Sequence, residues 1–207
     1  MKDKEQRKIT KERRQALPYS QESAVGAACR RIPWLLILML SATLTGVIIS
    51  AYESALSTSV YLTAYIPMLM GTGGNAGSQA SVTVIRAFSC GAVTGKDSRR
   101  ILSRELRIAA LCALVLGGVA FLKTCLFDAV LMHTIPMSDM LPLASTVSLS
   151  LILTVLFAKL IGAWLPLLAF RIRLDPAVMV SPFITTLVDT VSLVLYFQIA
   201  KLFIPGI

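Results

Sequence analysis

The chain has 207 residues, 56% of them hydrophobic and only 15% charged, with a mean hydropathy of +0.74, well above the roughly 45–50% apolar content of a soluble domain. Lys and Arg outnumber Asp and Glu by 20 to 11, for a formal charge of +9, yet the basic residues cluster before and between long apolar runs, which excludes nucleic acid as partner and indicates a membrane protein. Four cysteines without a CxxC pair and a single histidine exclude a disulfide framework and a multi-histidine metal site.

Residues 1–31 read as a basic cytoplasmic tail, with Lys2, Lys4, Arg7, Lys8, Lys11, Arg13, Arg14, Arg30 and Arg31 setting orientation and attracting anionic membrane lipids. Residues 32–207 form the expected transmembrane domain. Ile32–Tyr52 is uncharged and long enough, at 1.5 Å per residue, to cross a ~30 Å hydrocarbon core. Ser54–Ile85 is also uncharged, but Pro67 and Gly71-Thr72-Gly73-Gly74 interrupt it, so a broken helix is expected for the second span. Arg107–Met132, Leu141–Phe170 and Pro176–Ile204 supply three more spans. Lys96, Arg99, Arg100, Arg104, Arg107, Arg171 and Arg173 fall in the loops that five spans place inside, and the outer loops around 53–59 and 133–140 contain no Lys or Arg. The expectation is an all-α, multi-pass protein of the cell membrane with five transmembrane helices per subunit, amino terminus cytoplasmic and carboxyl terminus external.

Acidic residues at membrane depth mark function by default. Asp189 lies 13 residues beyond Pro176, about 20 Å along a helix. Pro182, Thr185, Asp189, Ser192 and Tyr196 share one face of that helix, a polar stripe with a carboxylate in it. A second polar row, Thr72, Asn75, Gln79, Thr83 and Arg86, follows Gly73 and Gly74. Glycines here permit either an unwound, carbonyl-exposing break or close helix packing, and Gly73, Gly74 and Gly77 fit both. Lys159 sits at a depth comparable to Asp189, which makes it a possible charge partner. Lys123 reads as a snorkelling residue. Glu53, Asp128 and Asp139 read as solvated interface charges or as an outer entrance for cations.

The run Ile66-Pro67-Met68-Leu69-Met70-Gly71-Thr72-Gly73-Gly74-Asn75-Ala76-Gly77-Ser78-Gln79 resembles the Pro-x-x-x-Gly-Thr-Gly-Gly-Asn-x-Gly-x-Gln segment of the MgtE family of magnesium channels and transporters. Asp175-Pro176-Ala177, Ser181-Pro182, Thr185-Thr186 and Asp189 are similar to the pattern of that family's last helix. Tyr52-Glu53 and Gly162-Ala163 with Pro166 also fit, so the resemblance runs from about residue 30 to the end. It implies a homodimer of five-helix subunits with a pore at the dimer interface, lined by the second and fifth helices. On this chain the metal-facing positions would be Asp189, Asp175, Ala177 and Thr185. Gly73, Gly74, Asn75, Gly77, Gln79, Ser181, Pro182, Thr186 and Ser192 would line the pore. Many relatives also carry a large cytosolic amino-terminal domain and paired nucleotide-sensor-like modules; about 31 polar residues stand in their place here, so that regulation is not carried over. Lys159, where relatives often have a neutral polar residue, and Ser192, where they commonly have Gly, depart from the pattern.

The expected function is passage of Mg²⁺, largely hydrated, with Mn²⁺ and Co²⁺ as possible further ions, through a divalent-cation-selective channel. Mg²⁺ releases its waters reluctantly and prefers octahedral oxygen coordination, which suits a symmetric pair of carboxylates. Transport coupled to Na⁺ or H⁺ and a non-transporting membrane scaffold are the alternatives. An enzyme is not expected, because the sequence has no HExxH or GxSxG constellation.

Overall fold

The computed structural model describes residues 23–91, 97–172, 176–204 and 206, without the side chains of 30, 31, 34 and 176–182. The regular secondary structure of the described residues is all helical, with no strand. The basic tail before Ser23, together with Lys96, Arg173 and Asp175, lies outside them.

By its internal packing the chain divides into Met1–Leu40 and Ser41–Ile207. The described part of the first unit is the leading portion of α1 (Ala24–Ala51), where Leu35, Ile37, Met39 and Leu40 are exposed apolar residues. The second unit contains the end of α1, the short α2 (Glu53–Thr58), α3 (Tyr61–Ser89), α4 (Ser98–Leu122) with a π-helical extension (Lys123–Leu131), α5 (Met137–Arg171) and α6 (Pro176–Phe203). α5 is the hub: it packs against α3, α4 and α6, and α3 also packs against α6. Leu69, Leu151, Val155, Ile184, Val188, Tyr196 and Phe197 form the core between these helices.

Three helical stretches are long and apolar enough to cross a membrane, Ser98–Leu131, Met137–Arg171 and Phe183–Phe203, and Leu35–Ala51 is a shorter apolar helix. α3 has the length, at 29 residues, but its Gly, Ser, Thr, Asn and Gln lower its hydropathy. The outer surface is oily, with Leu111, Leu114, Val115, Leu126 and Leu131 each more than half exposed. Such a surface is stable against lipid and not against water.

The expected break in the second span is corrected by the structure. α3 runs unbroken through Pro67 and Gly71–Gly74, and the interruption falls upstream, at Ser59-Val60. A proline deletes one ladder donor and crowds the preceding turn. Here the Tyr196 hydroxyl, fully buried, donates to the Leu62 carbonyl at 3.0 Å, adding a polar partner to the turn before Pro67, and neighbouring helices support the rest. α3 ends at Cys90-Gly91, where Gly91 takes φ +68° and its N–H bonds the Phe88 carbonyl at 3.0 Å, a left-handed stop suited to glycine. His133 performs the corresponding turn after the π-helical segment, at φ 50°, with the Thr134 N–H and hydroxyl both donating to the Asp128 carbonyl at 3.0 and 2.8 Å. The single histidine therefore ends a helix.

Candidate ion pathway

The glycines of α3 are the contact points of the bundle. A Cβ on Gly73 would lie 2.7 Å from both Thr154 Cγ2 of α5 and Val188 Cγ1 of α6, and one on Gly77 would lie 2.7 Å from Ile184 Cγ2 and 3.1 Å from the Ala158 carbonyl oxygen. Gly162 of α5 faces Gly77 so closely that an added Cβ would overlap its carbonyl group. α3 thus sits in the cleft between α5 and α6 with no room for side chains at the seam, the arrangement that small residues permit inside a bilayer. Of the two roles open to these glycines, the structure shows packing: Gly73 and Gly77 are buried behind the helix and do not sit at an unwound break.

One face of α3 remains uncovered. Asn75, Gln79, Thr83 and Arg86 are exposed, Thr72 and Ser78 are half-buried, and a Cβ at Gly71 would meet nothing within 4 Å. Gly74 lies at the edge of this face, 3.6 Å from Thr185 Cγ2 of α6 when a Cβ is built on it. That approach brings the polar row of α6 alongside the polar row of α3. Thr185 is exposed, while Thr186, Asp189 and Thr190 are half-buried, and Asp189 follows Thr185 by one helical turn on the same face.

Ser192 is displaced from this row. It is 2% exposed, its hydroxyl donates to the Val188 carbonyl at 2.6 Å, and it lies 3.4 Å from the Cβ position of Gly73. It fills the seam because α3 covers α6 at that level, opposite Gly73, so the expected pore-lining position is corrected to a packing one. Tyr196, in the same sequence stripe, is buried with it. Among the described residues no cation forms an ion pair with Asp189. Lys159 is buried at 6% exposure on α5 and is not salt-bridged to it. Glu53 is exposed in the first turn of α2. Asp175 is outside the described residues, and Ala177, Ser181 and Pro182 lie on the first turns of α6 with side chains not described. No cluster of three or more His, Cys, Asp or Glu exists among the described residues.

A partly buried charge network is not legible in the sequence. The Lys123 ammonium contacts both Asp128 carboxylate oxygens, at 2.7 and 3.0 Å, and the Tyr65 hydroxyl of α3 donates to Asp128 at 2.6 Å. Lys123 also stands 5.1 Å over the Tyr65 ring, within cation–π range. Asp128, read from sequence as a solvated charge, is 9% exposed. An i,i+5 pair does not meet on an α-helix; it meets here because the segment is π-helical, a geometry that sequence periodicity does not announce.

Residues 66–199 match the family model for MgtE, described as a divalent cation transporter. The chain belongs to the MgtE family. It is 36% identical over 191 residues to magnesium transporter MgtE of Thermus thermophilus, a match covering 92% of this chain and 40% of that relative. The proteins of the same name from Enterococcus faecalis and Bacillus subtilis are 33% and 34% identical, over 88% and 87% of this chain and 38% of each relative. The chain therefore spans about two fifths of the length of these MgtE relatives. The α3 and α6 polar rows both fall inside the segment matched by the family model.

Proposed function

We propose that the chain conducts Mg²⁺ across the cell membrane through a pore formed by two copies, each contributing α3 and α6. The observation that carries this reading is the uncovered polar column Asn75–Gln79–Thr83–Arg86 beside Thr185 and Asp189 on an otherwise oily bundle. Amide and carboxylate groups at bilayer depth are costly against lipid. A second copy related by two-fold symmetry would face the two columns toward each other and enclose water between them. The name borne by the relatives, magnesium transporter, supports the choice of ion.

In this reading α1, α3, α4 with its extension, α5 and α6 are the five spans, with the amino terminus and the basic α3–α4 connection inside and the carboxyl terminus outside. Asp189 and its symmetry mate hold the ion in its hydration shell. A divalent cation relieves repulsion between two carboxylates about twice as well as a monovalent one at the same distance, by Coulomb's law. Gly74, Asn75, Gln79, Thr185 and Thr186 flank that position, and Asp175, Ala177, Ser181 and Pro182 form the inner mouth. An inward-negative potential contributes about 4.6 kcal/mol per 100 mV for a doubly charged ion, so uptake requires no coupled ion. Mn²⁺ and Co²⁺ share the hard-oxygen chemistry and are expected to pass. The role is transport, not catalysis.

The test is Mg²⁺ flux into vesicles containing the purified protein, with a cation panel and an imposed voltage. Asp189→Asn should keep the fold and lose most Mg²⁺ flux or its preference over monovalent ions. Wild-type flux and selectivity in folded Asp189→Asn would refute the proposed site, and flux that requires a Na⁺ or H⁺ gradient would refute the channel mechanism.

A further inference from the structure

α4 carries a second unusual surface. Arg100, Arg104 and Arg107 follow one another at intervals of four and three, which places them on one face, and all three are exposed. The same face continues as Leu111, Leu114, Gly118 and Leu122, with Leu111, Leu114 and Leu122 exposed at 68%, 64% and 56%. Val115 and Val119 flank this row, exposed at 65% and 58%. A Cβ at Gly118 would meet nothing within 4 Å, so the ridge has a notch between Leu114 and Leu122. The opposite face, Ala109, Ala113 and Gly117, is buried, with Gly117 against Ile152 and Ser148 of α5. One side of α4 is thus a line of guanidinium groups leading into an exposed apolar ridge notched at Gly118.

The basic end is electrostatically unfavourable on its own. Like charges at i,i+3 and i,i+4 repel, and the positive end of the helix dipole lies at the same terminus, where Asp97 at the N-cap is the acidic group and the first turn itself contains none. Glu105, the acidic residue within the stretch, is 6% exposed on the α5-facing side and forms no ion pair with these arginines. The arginine N–H groups form a fork suited to phosphate oxygens. From Arg107 to Gly118 is 11 residues, about 16 Å along a helix, close to half of a ~30 Å hydrocarbon core.

We propose that this face of α4 binds an anionic phospholipid of the inner leaflet, with its phosphate on Arg100, Arg104 and Arg107 and an acyl chain along Leu111, Leu114 and the Gly118 notch. The headgroup cancels the repulsion among the three arginines and the opposed dipole, and the chain covers the apolar ridge. The inference rests on α4 spanning the membrane with its amino end inside, and it is independent of which ion the protein carries.

The experiment uses the full chain reconstituted in vesicles, with Trp34→Phe, Trp164→Phe and Leu114→Trp leaving one tryptophan on the ridge. Quenching by brominated phosphatidylglycerol is compared with quenching by brominated phosphatidylcholine. Phosphatidylglycerol should bind at least about threefold more tightly, with the preference falling as salt rises. Arg100→Gln/Arg104→Gln/Arg107→Gln should bring the ratio to about one, and Arg104→Gln alone should give an intermediate value that does not depend on the triple variant folding. Arg171→Gln, at the end of α5, should leave the ratio unchanged. Equal loss in Arg171→Gln would show a diffuse surface potential and overturn the site, as would a ratio unaffected by the triple substitution. A preference abolished by 20 mM inorganic phosphate would assign the arginines to a free anion. Quenching by neither lipid would show the ridge covered by protein, which overturns both the lipid site and the exposure of α4.

Discussion

Replacing Gly162 with alanine would drive a methyl group into the backbone of α3. The Cβ position lies 2.8 Å from the Gly77 carbonyl carbon and 2.9 Å from its Cα, with the carbonyl oxygen nearer still. Ordinary contact begins at 3.4 Å, so the two helices must separate by more than about 0.6 Å, the carbonyl oxygen making the larger demand, and backbone atoms cannot swing aside as a side chain can. Overpacking of this kind costs about 1–3 kcal/mol. Alanine recovers about 0.5–1 kcal/mol of helix propensity, leaving a net loss of up to about 2.5 kcal/mol, with the upper part of that range expected because the clash is with backbone. Gly46→Ala is the control: nothing lies within 4 Å of its Cβ position, so only the propensity gain should appear. Unfolding by denaturing detergent in mixed micelles measures both. Separation of α3 from α5 also moves the Asn75–Gln79 face, so Mg²⁺ flux per folded protein should fall in Gly162→Ala. A Gly162→Ala protein as stable as Gly46→Ala, with unchanged flux, would refute the seam as the element that positions α3.

The partly buried Tyr65–Asp128–Lys123 network should behave as a coupled unit: Tyr65→Phe removes a bond to a charged group, worth about 1.5–3 kcal/mol, while keeping the ring under Lys123. In an Asp128→Asn background the Tyr65→Phe effect should shrink, and equal effects in both backgrounds, measured by the same unfolding assay, would break the assignment. Ser192→Ala loses only a bond back to its own helix, so stability should change by about 1 kcal/mol or less. Mg²⁺ selectivity of Ser192→Ala should stay at the wild-type value, and a selectivity change matching Asp189→Asn would return Ser192 to the ion pathway.

Hydropathy and charge bias were sufficient to read an all-helical membrane chain, because burial in lipid and the cost of moving arginine across it act on composition directly. The helical boundaries followed within a few residues for the fourth span, expected over Leu141–Phe170 and found over Met137–Arg171. The second span shows where such reading stops. Proline and a glycine run signal a break by local propensity, but propensity yields to tertiary support, and α3 is kept continuous by the neighbours that its glycines admit. Ser192 shows a related limit: Pro182, Thr185, Asp189, Ser192 and Tyr196 share one narrow face of the helix, and burial changes along that face, from exposed Thr185 to Ser192 and Tyr196, which α3 covers. Periodicity gave the face, and only packing against Gly73 decided that Ser192 points inward.

The same glycines connect fold to proposed chemistry. Because Gly73 and Gly77 let α3 sink between α5 and α6, the opposite side of α3 is left facing outward with its amides in register beside Thr185. Larger residues at the seam would push α3 away from α6 and part the two polar rows. Close packing on one side and polar exposure on the other are therefore one arrangement, set by alternating small and polar residues over Gly73–Gln79. A carboxylate at Asp189 with no cation paired to it among the described residues stands next to that surface, and in the proposed two-copy pore a divalent ion between two such surfaces would supply the missing positive charge.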